Sequence, residues 1–390
     1  MPRNTLTGYL TDLVLTQPKI NHDVADLAFS ARAIELAKEG VGLVSPNPLV
    51  GCVIISKGGE VVGEGTYIYD DVTHAEVIAL EQAGERANGG TAYVSLEPHA
   101  HHGKTSPCTQ ALIDAGIKRV VAPIEDPNPL VSGKGFETLR GKGIEVVTGI
   151  LTDEATNLNE KFICWHKNKR PFIHLKLAMS LDGRISLNKS VSTALSNELA
   201  LKRAHELRHE YDAILVGANT ALVDNPNLTD RSGKLRRRPL ARIVLDNSLR
   251  LPTDHTLVTT AGETPTLVFT SNIDPVDTYP LTDLGVEVIP VEGGPRNLRE
   301  VMKELCRREI QSVLVEGGTE VAGAFIDARL VDKITLMVAP LVIGGHEAPV
   351  AVGGAGAKTL CDALRLSGVR VEKHGEDIEI TGYPEAGDAG

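Results

Sequence analysis

Short apolar strands alternate with helical segments along most of this chain, and this alternation is the feature that most restricts its fold. Apolar runs such as 50–56 and 211–220 end in turn residues, which is typical of buried strands. Residues 24–40 instead carry apolar side chains at helical spacing and end at Gly40. Strands and helices in this rhythm predict α/β domains in which helices cover the faces of a sheet.

The alternation stops near residue 150 and starts again after Pro171, so the 390 residues predict two domains. We expect a polar N-terminal extension over 1–22, a first domain over 23–150, a helix and linker over 151–171, and a second domain over 172–385. An apolar fraction of 42% and a charged fraction of 23% are sufficient for ordinary buried cores.

The composition argues against several classes of protein. A net charge of -11 and an aromatic content of 4% disfavour a general nucleic-acid-binding surface, which needs positive charge and stacking rings. The five cysteines are odd in number and widely spaced, which favours a reducing compartment over a disulfide framework. No apolar run approaches the roughly 18 residues of a membrane span, and no signal peptide is recognisable. We therefore expect a cytoplasmic protein.

The strongest positive cluster is KLRRRPLAR at 234–242. Most such runs are solvated loops, and we expect the same here. The run also leaves open a different class of function, an RNA- or nucleotide-binding regulator.

The clearest chemical pattern in the first domain is His74-Ala75-Glu76 at the start of a predicted helix, followed by His99 and Cys108. Zinc hydrolases need three protein ligands, one open position for water, and a carboxylate that moves protons without binding the metal. A helix N-terminus stabilises a thiolate, so Cys108 at the start of a short helix suits a ligand. Taken alone, His74 has a second interpretation as a surface or helix-capping residue.

Three ordered motifs make the pattern more specific: SPNPLVGCVI (45–54), THAE (73–76) and LEPHAHHGKTSPC (96–108). Together they resemble the deaminase half of the bifunctional riboflavin-biosynthesis deaminase/reductase family. The resemblance implies a cytidine-deaminase-like three-layer α/β/α domain in which Glu76 is the catalytic proton carrier. The implied zinc ligands are His74, His99 and Cys108. The implied contacts to the substrate are Asn47, His101, His102 and Lys104.

One implied ligand departs from the family, because His99 stands where relatives have their first cysteine. Imidazole is a good zinc ligand, and replacing a thiolate by it makes the site more positive by one charge unit, which favours ionisation of bound water. The alternative is a degenerate, zinc-free deaminase domain attached to an active reductase. Cys52, in a predicted core strand, is expected to serve packing. The implied substrate residues also have alternative interpretations without a role in binding. Asn47 would then form a turn, and the histidine-rich stretch would be a solvated loop.

The second domain has no G-x-G-x-x-G fingerprint. Its most distinctive stretch is 313–334, in which a strand reaches Glu316, two glycines form a turn, and a helix begins near Thr319. Such a helix N-terminus can bind a phosphate. Five ordered segments resemble the reductase half of the same family, which implies a dihydrofolate-reductase-like α/β domain. These segments are 175–186, 216–231, 243–252, 314–318 and 339–345.

The resemblance covers about residues 23–370 and implies roles for individual residues in the reductase. The implied substrate contacts are Lys176, Ser192, Arg208, Leu228, Arg231 and Glu316. The implied NADPH contacts are Ala178, Ala194, Thr220, Asp224, Gly318, Thr319, Glu320, Val321, Ala322, Gly323 and Ala324. Ala194 stands where many relatives have tryptophan, so one stacking contact to the cofactor is missing. Taken as single residues, Arg208 is better interpreted as an ordinary exposed helix arginine, and Asp224 has a second interpretation as a turn residue.

The two resemblances together imply an enzyme for two consecutive steps toward riboflavin. The first domain would use Zn²⁺ to deaminate 2,5-diamino-6-(5-phosphoribosylamino)pyrimidin-4-one. The second would use NADPH to reduce the ribosyl side chain of 5-amino-6-(5-phosphoribosylamino)uracil to ribityl. The expected partners are this small-molecule substrate and further copies of the chain in a dimer or tetramer, with no nucleic acid and no membrane.

Overall fold

Two sheets organise the protein in a computed structural model that describes residues 24–101 and 106–385. A five-stranded sheet is followed along the chain by a nine-stranded sheet. Within these ranges, no helix is long and apolar enough to cross a membrane.

The first sheet has the strand order β2-β1-β3-β4-β5, with β1 antiparallel to both of its neighbours and the last three strands parallel. Its elements are α1 Val24–Lys38, β1 Gly51–Ile55, β2 Val61–Thr66, α2 Ala75–Ala83, a 3-10 helix Gly84–Ala87, β3 Thr91–Val94, α3 Cys108–Asp114, β4 Arg119–Val121, α4 Lys134–Gly141 and β5 Glu145–Val147.

Strand β1 is buried on both faces. Cys52 and Ile54 join the core that α2 and α3 cover, whereas Val53 and Ile55 join a second core beneath α1. Helices therefore cover both faces of the sheet, and the predicted three-layer domain is confirmed. A close approach of α2 to β2 requires Gly63, because a Cβ there would lie 1.9 Å from the Ala79 carbonyl oxygen.

The segment predicted as one helix and a linker contains two helices, α5 Thr152–Leu158 and α6 Glu160–Asn168. They lead directly into the second sheet, whose order is β10-β9-β8-β7-β11-β6-β12-β14-β13. Its elements are β6 Phe172–Ser180, α7 Glu198–His209, β7 Ala213–Gly217, α8 Ala218–Asp224, β8 Ala241–Leu245, α9 Thr256–Thr259, β9 Thr266–Thr270, α10 Pro275–Thr282, β10 Glu287–Pro290, α11 Leu298–Arg307, β11 Ser312–Val315, α12 Thr319–Asp327, β12 Lys333–Ala339, β13 Leu366–His374 and β14 Asp377–Pro384.

The seven strands from β10 to β12 in this order run parallel, and β14 and β13 extend the sheet in antiparallel fashion. The carboxyl ends of parallel strands meet at one edge, which is where ligands bind in open α/β sheets. The turn after β11, with Glu316 and the two glycines that follow, lies at this edge.

The C-terminal hairpin of β13 and β14 is not among the strands predicted from sequence. Strand β13 forms the edge of the sheet and is exposed along most of its length, so its sequence is charged where an interior strand is apolar.

The prediction of a solvated loop over 234–242 is wrong for all four of its arginines. Arg236, Arg237 and Arg238 are half-buried, and Arg242 is completely buried. Backbone carbonyls make this burial possible: Arg242 Nη2, for example, donates to the Leu257 carbonyl at 3.2 Å and to the Thr264 carbonyl at 2.7 Å. A guanidinium group is weakly hydrated, so main-chain acceptors can replace its water.

Two candidate active sites

Helix starts position the first candidate site. His74 is the residue before α2 and has an extended backbone, while Glu76 lies in the first turn of that helix. Cys108 is the first residue of α3, directly after Pro107. His99 lies in the segment after β3, and its carbonyl accepts a hydrogen bond from the Thr109 backbone N–H at 3.3 Å.

The three predicted ligands come together. The ligand atoms of His74, His99 and Cys108 all lie within 4.8 Å of one another. The two imidazole rings are stacked with centroids 4.5 Å apart, and Cys108 is fully buried. Two imidazoles and one thiolate form a donor set that suits zinc and leaves a fourth position for water.

Glu76 completes this group without belonging to the ligand cluster. Its side chain is buried, and its Oε2 has no hydrogen-bond partner among the described residues. A buried carboxylate oxygen without a partner is costly, so its place beside three ligands supports a role toward a bound metal, water or substrate. The residues present therefore fit a zinc site with an adjacent proton carrier.

Two of the ligands differ in ionisation, because that of His99 agrees with metal binding and that of Cys108 opposes it. Burial, together with the neighbouring His74 and His101, lowers the pKa of His99 to about 4, so its imidazole is neutral near pH 7. Burial and the adjacent Glu76 raise the pKa of the Cys108 thiol. A metal must therefore displace the Cys108 proton when it binds.

Sequence reasoning missed Glu97, a buried residue two positions before His99. Its carboxylate accepts the backbone N–H groups of Asp126 and Gly133, each at 2.9 Å, and of Gly135 at 2.8 Å. These bonds fix the segment between β3 and α3 that carries His99. An acidic residue at the end of an apolar run and directly before proline was the available indication.

Of the predicted substrate residues in this half, the structure describes Asn47 and His101. Asn47 is exposed, and its Nδ2 donates to the Tyr67 hydroxyl at 2.6 Å. The Tyr67 ring lies 5.3 Å from the His74 ring, which connects Asn47 to the ligand cluster. His101 contacts His99 with ring centroids 5.1 Å apart. His102 and Lys104 lie outside the described residues.

A bidentate ion pair forms the centre of the second candidate site. Arg208 from α7 donates from Nε and Nη2 to the two carboxylate oxygens of Glu316, at 3.0 and 2.8 Å. Burial by itself would raise the pKa of Glu316, but the charges of Arg208 and Lys176 outweigh it and lower this pKa to about 2. Arg208 is therefore not an ordinary exposed helix arginine, and three of the six predicted substrate residues are brought together.

A histidine that the sequence did not single out belongs to the same cluster. His205 lies one helical turn before Arg208, and burial and the charges of Arg208 and Arg231 lower its pKa. Its Nδ1 is buried and has no hydrogen-bond partner in the part of the chain that the structure describes. The i, i+3 spacing from Arg208 was the indication in the sequence.

A large cavity of about 1190 Å³ adjoins the carboxyl ends of the parallel strands. Its lining includes Ser192 and most of the residues predicted to contact NADPH. The NADPH-contacting candidates in the lining are Thr220, Asp224, Gly318, Thr319, Glu320, Val321 and Ala324. A Cβ at Gly317 would lie 2.5 Å from Val321, so the turn that leads into α12 requires glycine there. The cavity and the turn fit an extended phosphate-containing cofactor.

The structure does not bring every predicted residue to these two places. Ala178, Ala194, Ala322 and Gly323 are not among the residues that line the large cavity; Ala322 is fully buried in the core of the sheet. Leu228 packs into a hydrophobic core and has a positive φ of 51°. Arg231 is exposed and close enough to His205 to affect its pKa.

Comparisons with known proteins identify the same two kinds of domain. Residues 24–123 match the family model for the cytidine and deoxycytidylate deaminase zinc-binding region, and residues 171–380 match that for the RibD C-terminal domain. The riboflavin biosynthesis protein RibD of Actinobacillus pleuropneumoniae is 40% identical over 357 residues, which cover 91% of this chain and 94% of that protein. RibD of Escherichia coli is 38% identical, with coverages of 90% and 98%.

Solved structures show the same likeness. RibD of Acinetobacter baumannii is 34% identical and superimposes with a TM-score of 0.82, covering 93% of this chain and 99% of that one. A Thermotoga maritima diaminohydroxyphosphoribosylaminopyrimidine deaminase/5-amino-6-(5-phosphoribosylamino)uracil reductase is 35% identical with a TM-score of 0.81, covering 92% and 99%. The chain therefore belongs to the RibD family of riboflavin-biosynthesis proteins, with a zinc-dependent deaminase domain followed by an NADPH-dependent reductase domain.

Proposed function

We propose that this chain carries out the two reactions that the name of its Thermotoga maritima relative describes. The first half hydrolyses the amino group of 2,5-diamino-6-(5-phosphoribosylamino)pyrimidin-4-one. The second half reduces the ribosyl side chain of the resulting 5-amino-6-(5-phosphoribosylamino)uracil to ribityl. The observation that carries the proposal is the unpartnered Glu76 oxygen beside three converging ligand side chains.

In the deaminase, His74, His99 and Cys108 hold the zinc ion. When bound, the ion would act as a Lewis acid that makes a water molecule nucleophilic near neutral pH. Glu76 would accept a proton from the attacking water and return it to the amino group, so that a C–O bond forms to the ring carbon, the C–N bond breaks, and the products are the carbonyl compound and ammonia. Asn47, His101, His102 and Lys104 orient the pyrimidine and its phosphorylated side chain.

In the reductase, NADPH supplies the hydride. Gly318, Thr319 and the first turn of α12 offer backbone N–H groups to a cofactor phosphate, and Thr220 and Asp224 line the same cavity. Lys176 and the Arg208–Glu316 pair hold the opened ribose in reach of the cofactor, while Ser192 and Arg231 lie near the ring and phosphate. Because the cofactor carries the redox chemistry, the contribution of these residues is orientation and electrostatics.

The proposal is tested by measuring ammonia release and NADPH oxidation with the diaminopyrimidine substrate, alongside metal analysis of the purified chain. We expect about one zinc ion per chain and both activities. Glu76→Gln should lower deamination by at least about 100-fold and leave reduction of the deaminated intermediate unchanged. Reduction without zinc and without ammonia release would instead identify a degenerate deaminase domain.

We also propose a cytoplasmic location and a homo-oligomer. All five cysteines are free, which suits a reducing compartment. Strand β13 leaves an exposed sheet edge with Val369 and Val371, and such an edge is a ready surface for a second copy. Light scattering of the purified chain should give a dimer or tetramer, and a monomeric mass would contradict this assembly.

A further inference from the structure

The arginine run of the reductase half contacts a loop of the deaminase half. Arg237 donates from Nη2 to the Ser45 carbonyl at 2.6 Å and from Nε to the same oxygen at 3.1 Å. Its backbone N–H donates to the Gly42 carbonyl at 2.9 Å, and its guanidinium lies 3.7 Å from the centre of the Tyr69 ring. Arg238 Nη2 donates to the Ser45 hydroxyl at 3.0 Å. Two neighbouring arginines thus hold one residue of the other half.

The loop that they hold carries Asn47. Its other end is fixed by Asn159, a buried residue between α5 and α6, whose side chain exchanges two hydrogen bonds with the backbone of Leu49, at 2.8 and 3.0 Å. Asn47 therefore lies between two anchors, Ser45 and Leu49, and both anchors bind groups from outside the first sheet. A short loop fixed at both ends loses much of its freedom to move.

The position of Asn47 bears directly on the ligand cluster. Asn47 donates to the Tyr67 hydroxyl, and the Tyr67 ring contacts His74. A cavity of about 280 Å³ lies beside these contacts. Residues from both halves line it, including Asn47 and the arginines from 236 to 238. The first half alone supplies the candidate zinc ligands, whereas its substrate loop is held at Ser45 by the second half and at Leu49 by Asn159 of the connecting segment.

The arginine run is itself anchored on the reductase side. Arg236 Nη1 donates to the carbonyls of Arg208 at 3.1 Å and of His209 at 2.9 Å, at the end of α7. Arg236 Nε also donates to the Arg238 carbonyl at 3.1 Å, which fixes the backbone beside Arg237. Because the backbone of the arginine run is held in place by Arg236, we expect it to stay where it is when Arg237 is substituted. The substitution should therefore change the position of the Ser45–Leu49 loop.

We propose that Arg237 and Arg238 are positioning residues for deamination, which hold Ser45 and through it place Asn47 against the pyrimidine. The inference rests on the proposed role of Asn47 as a substrate contact. It assigns a function to the strongest positive cluster in the sequence, and it means that the deaminase site is completed by the reductase half of the same chain.

The test uses the full-length chain and separates KM from kcat for each reaction. Arg237→Ala should raise the deaminase KM by about tenfold or more, since small misplacements of orienting groups weaken productive binding strongly. Its zinc content and its kinetics of NADPH-dependent reduction should match those of the unmodified chain. Arg237→Lys, which keeps a donor and a positive charge, should recover part of the loss. Arg299→Ala, an exposed arginine on α11, serves as the matched control and should change neither reaction.

A double-mutant cycle distinguishes positioning from general support of the fold. If Arg237 acts through Asn47, Arg237→Ala should add little to the KM of Asn47→Ala, whereas a general structural role predicts effects that add. An unchanged deaminase KM, or additive effects, would overturn the inference. If Arg237→Ala folds poorly, Arg238→Ala makes the same test, because it removes the Ser45 hydroxyl contact and leaves the Tyr69 contact intact. A chain that releases no ammonia even when unmodified would overturn the proposed function and this inference with it.

Discussion

Arg208 and Glu316 come from elements 108 residues apart in the chain, yet they form two parallel hydrogen bonds of 3.0 and 2.8 Å. Their side chains are 16% and 13% exposed. A planar guanidinium opposite a carboxylate fixes both groups in orientation as well as distance. This pair therefore gives the proposed ribose-binding site a defined shape before substrate arrives.

Removing one partner of this pair should harm both stability and reduction. Arg208→Ala leaves a largely buried carboxylate with Lys176 as its remaining nearby positive group, and we expect a loss of about 3 kcal/mol in the free energy of unfolding. Urea unfolding measures that loss, and the KM of reduction should rise in parallel. Arg299→Ala provides the control. Stability and KM that both match the unmodified chain would mean that the pair has neither role.

The pH dependence of stability should reveal the same pair. The pKa of Glu316 is lowered to about 2 from an ordinary value of 4.5, so the folded state binds fewer protons there than the unfolded state does. This group therefore stabilises the fold above about pH 4.5, and its contribution disappears as the pH falls toward 2. The difference in unfolding free energy between the unmodified chain and Glu316→Gln should shrink by about 3 kcal/mol over that window. A difference that stays constant between pH 5 and 2.5 would contradict the lowered pKa.

His99 should be required for zinc retention. His99→Ala removes one of three ligands, and we expect zinc to be lost to a chelator and ammonia release to fall at least about 100-fold. His99→Cys replaces the imidazole by another donor that binds zinc and should retain the metal. Metal analysis with a chelator titration decides the point, while NADPH-dependent reduction reports that the second domain is intact. Full zinc occupancy in His99→Ala would exclude His99 as a ligand.

Glu97 should stabilise the deaminase half through its backbone hydrogen bonds. Glu97→Ala leaves buried N–H groups of Asp126, Gly133 and Gly135 without an acceptor, so we expect about 3 kcal/mol of destabilisation. Because Glu97 also fixes the segment that carries His99, zinc should be lost at a lower chelator concentration. Glu137→Ala on α4, an exposed glutamate, is the matched control for both measurements. Equal stabilities of the two variants would show that the N–H groups find other partners.

The three-layer architecture of the first domain was predictable because its strand and helix patterns are local, and the motifs of the resemblance singled out His74, His99 and Cys108 as candidate ligands. His74 and Cys108 lie at helix starts, and helix starts leave recognisable patterns in a sequence. The turn after β11 was predictable for the same reason, since a buried strand, two glycines and a helix follow one another without interruption. The hairpin of β13 and β14 was missed because an edge strand keeps its charges and lacks the apolar run of an interior strand.

The sequence by itself determined the α/β fold class, the candidate zinc ligands and the family to which the chain belongs, because these depend on residue type and order along short segments. Only the tertiary structure decided how Arg237 meets Ser45, how His205 joins Arg208, and which of the predicted cofactor residues line one cavity. Such relationships join residues that are distant in the chain, and burial changes what they do. An arginine that water would solvate on an isolated loop becomes a donor to a carbonyl of the neighbouring domain once the two sheets fold beside each other.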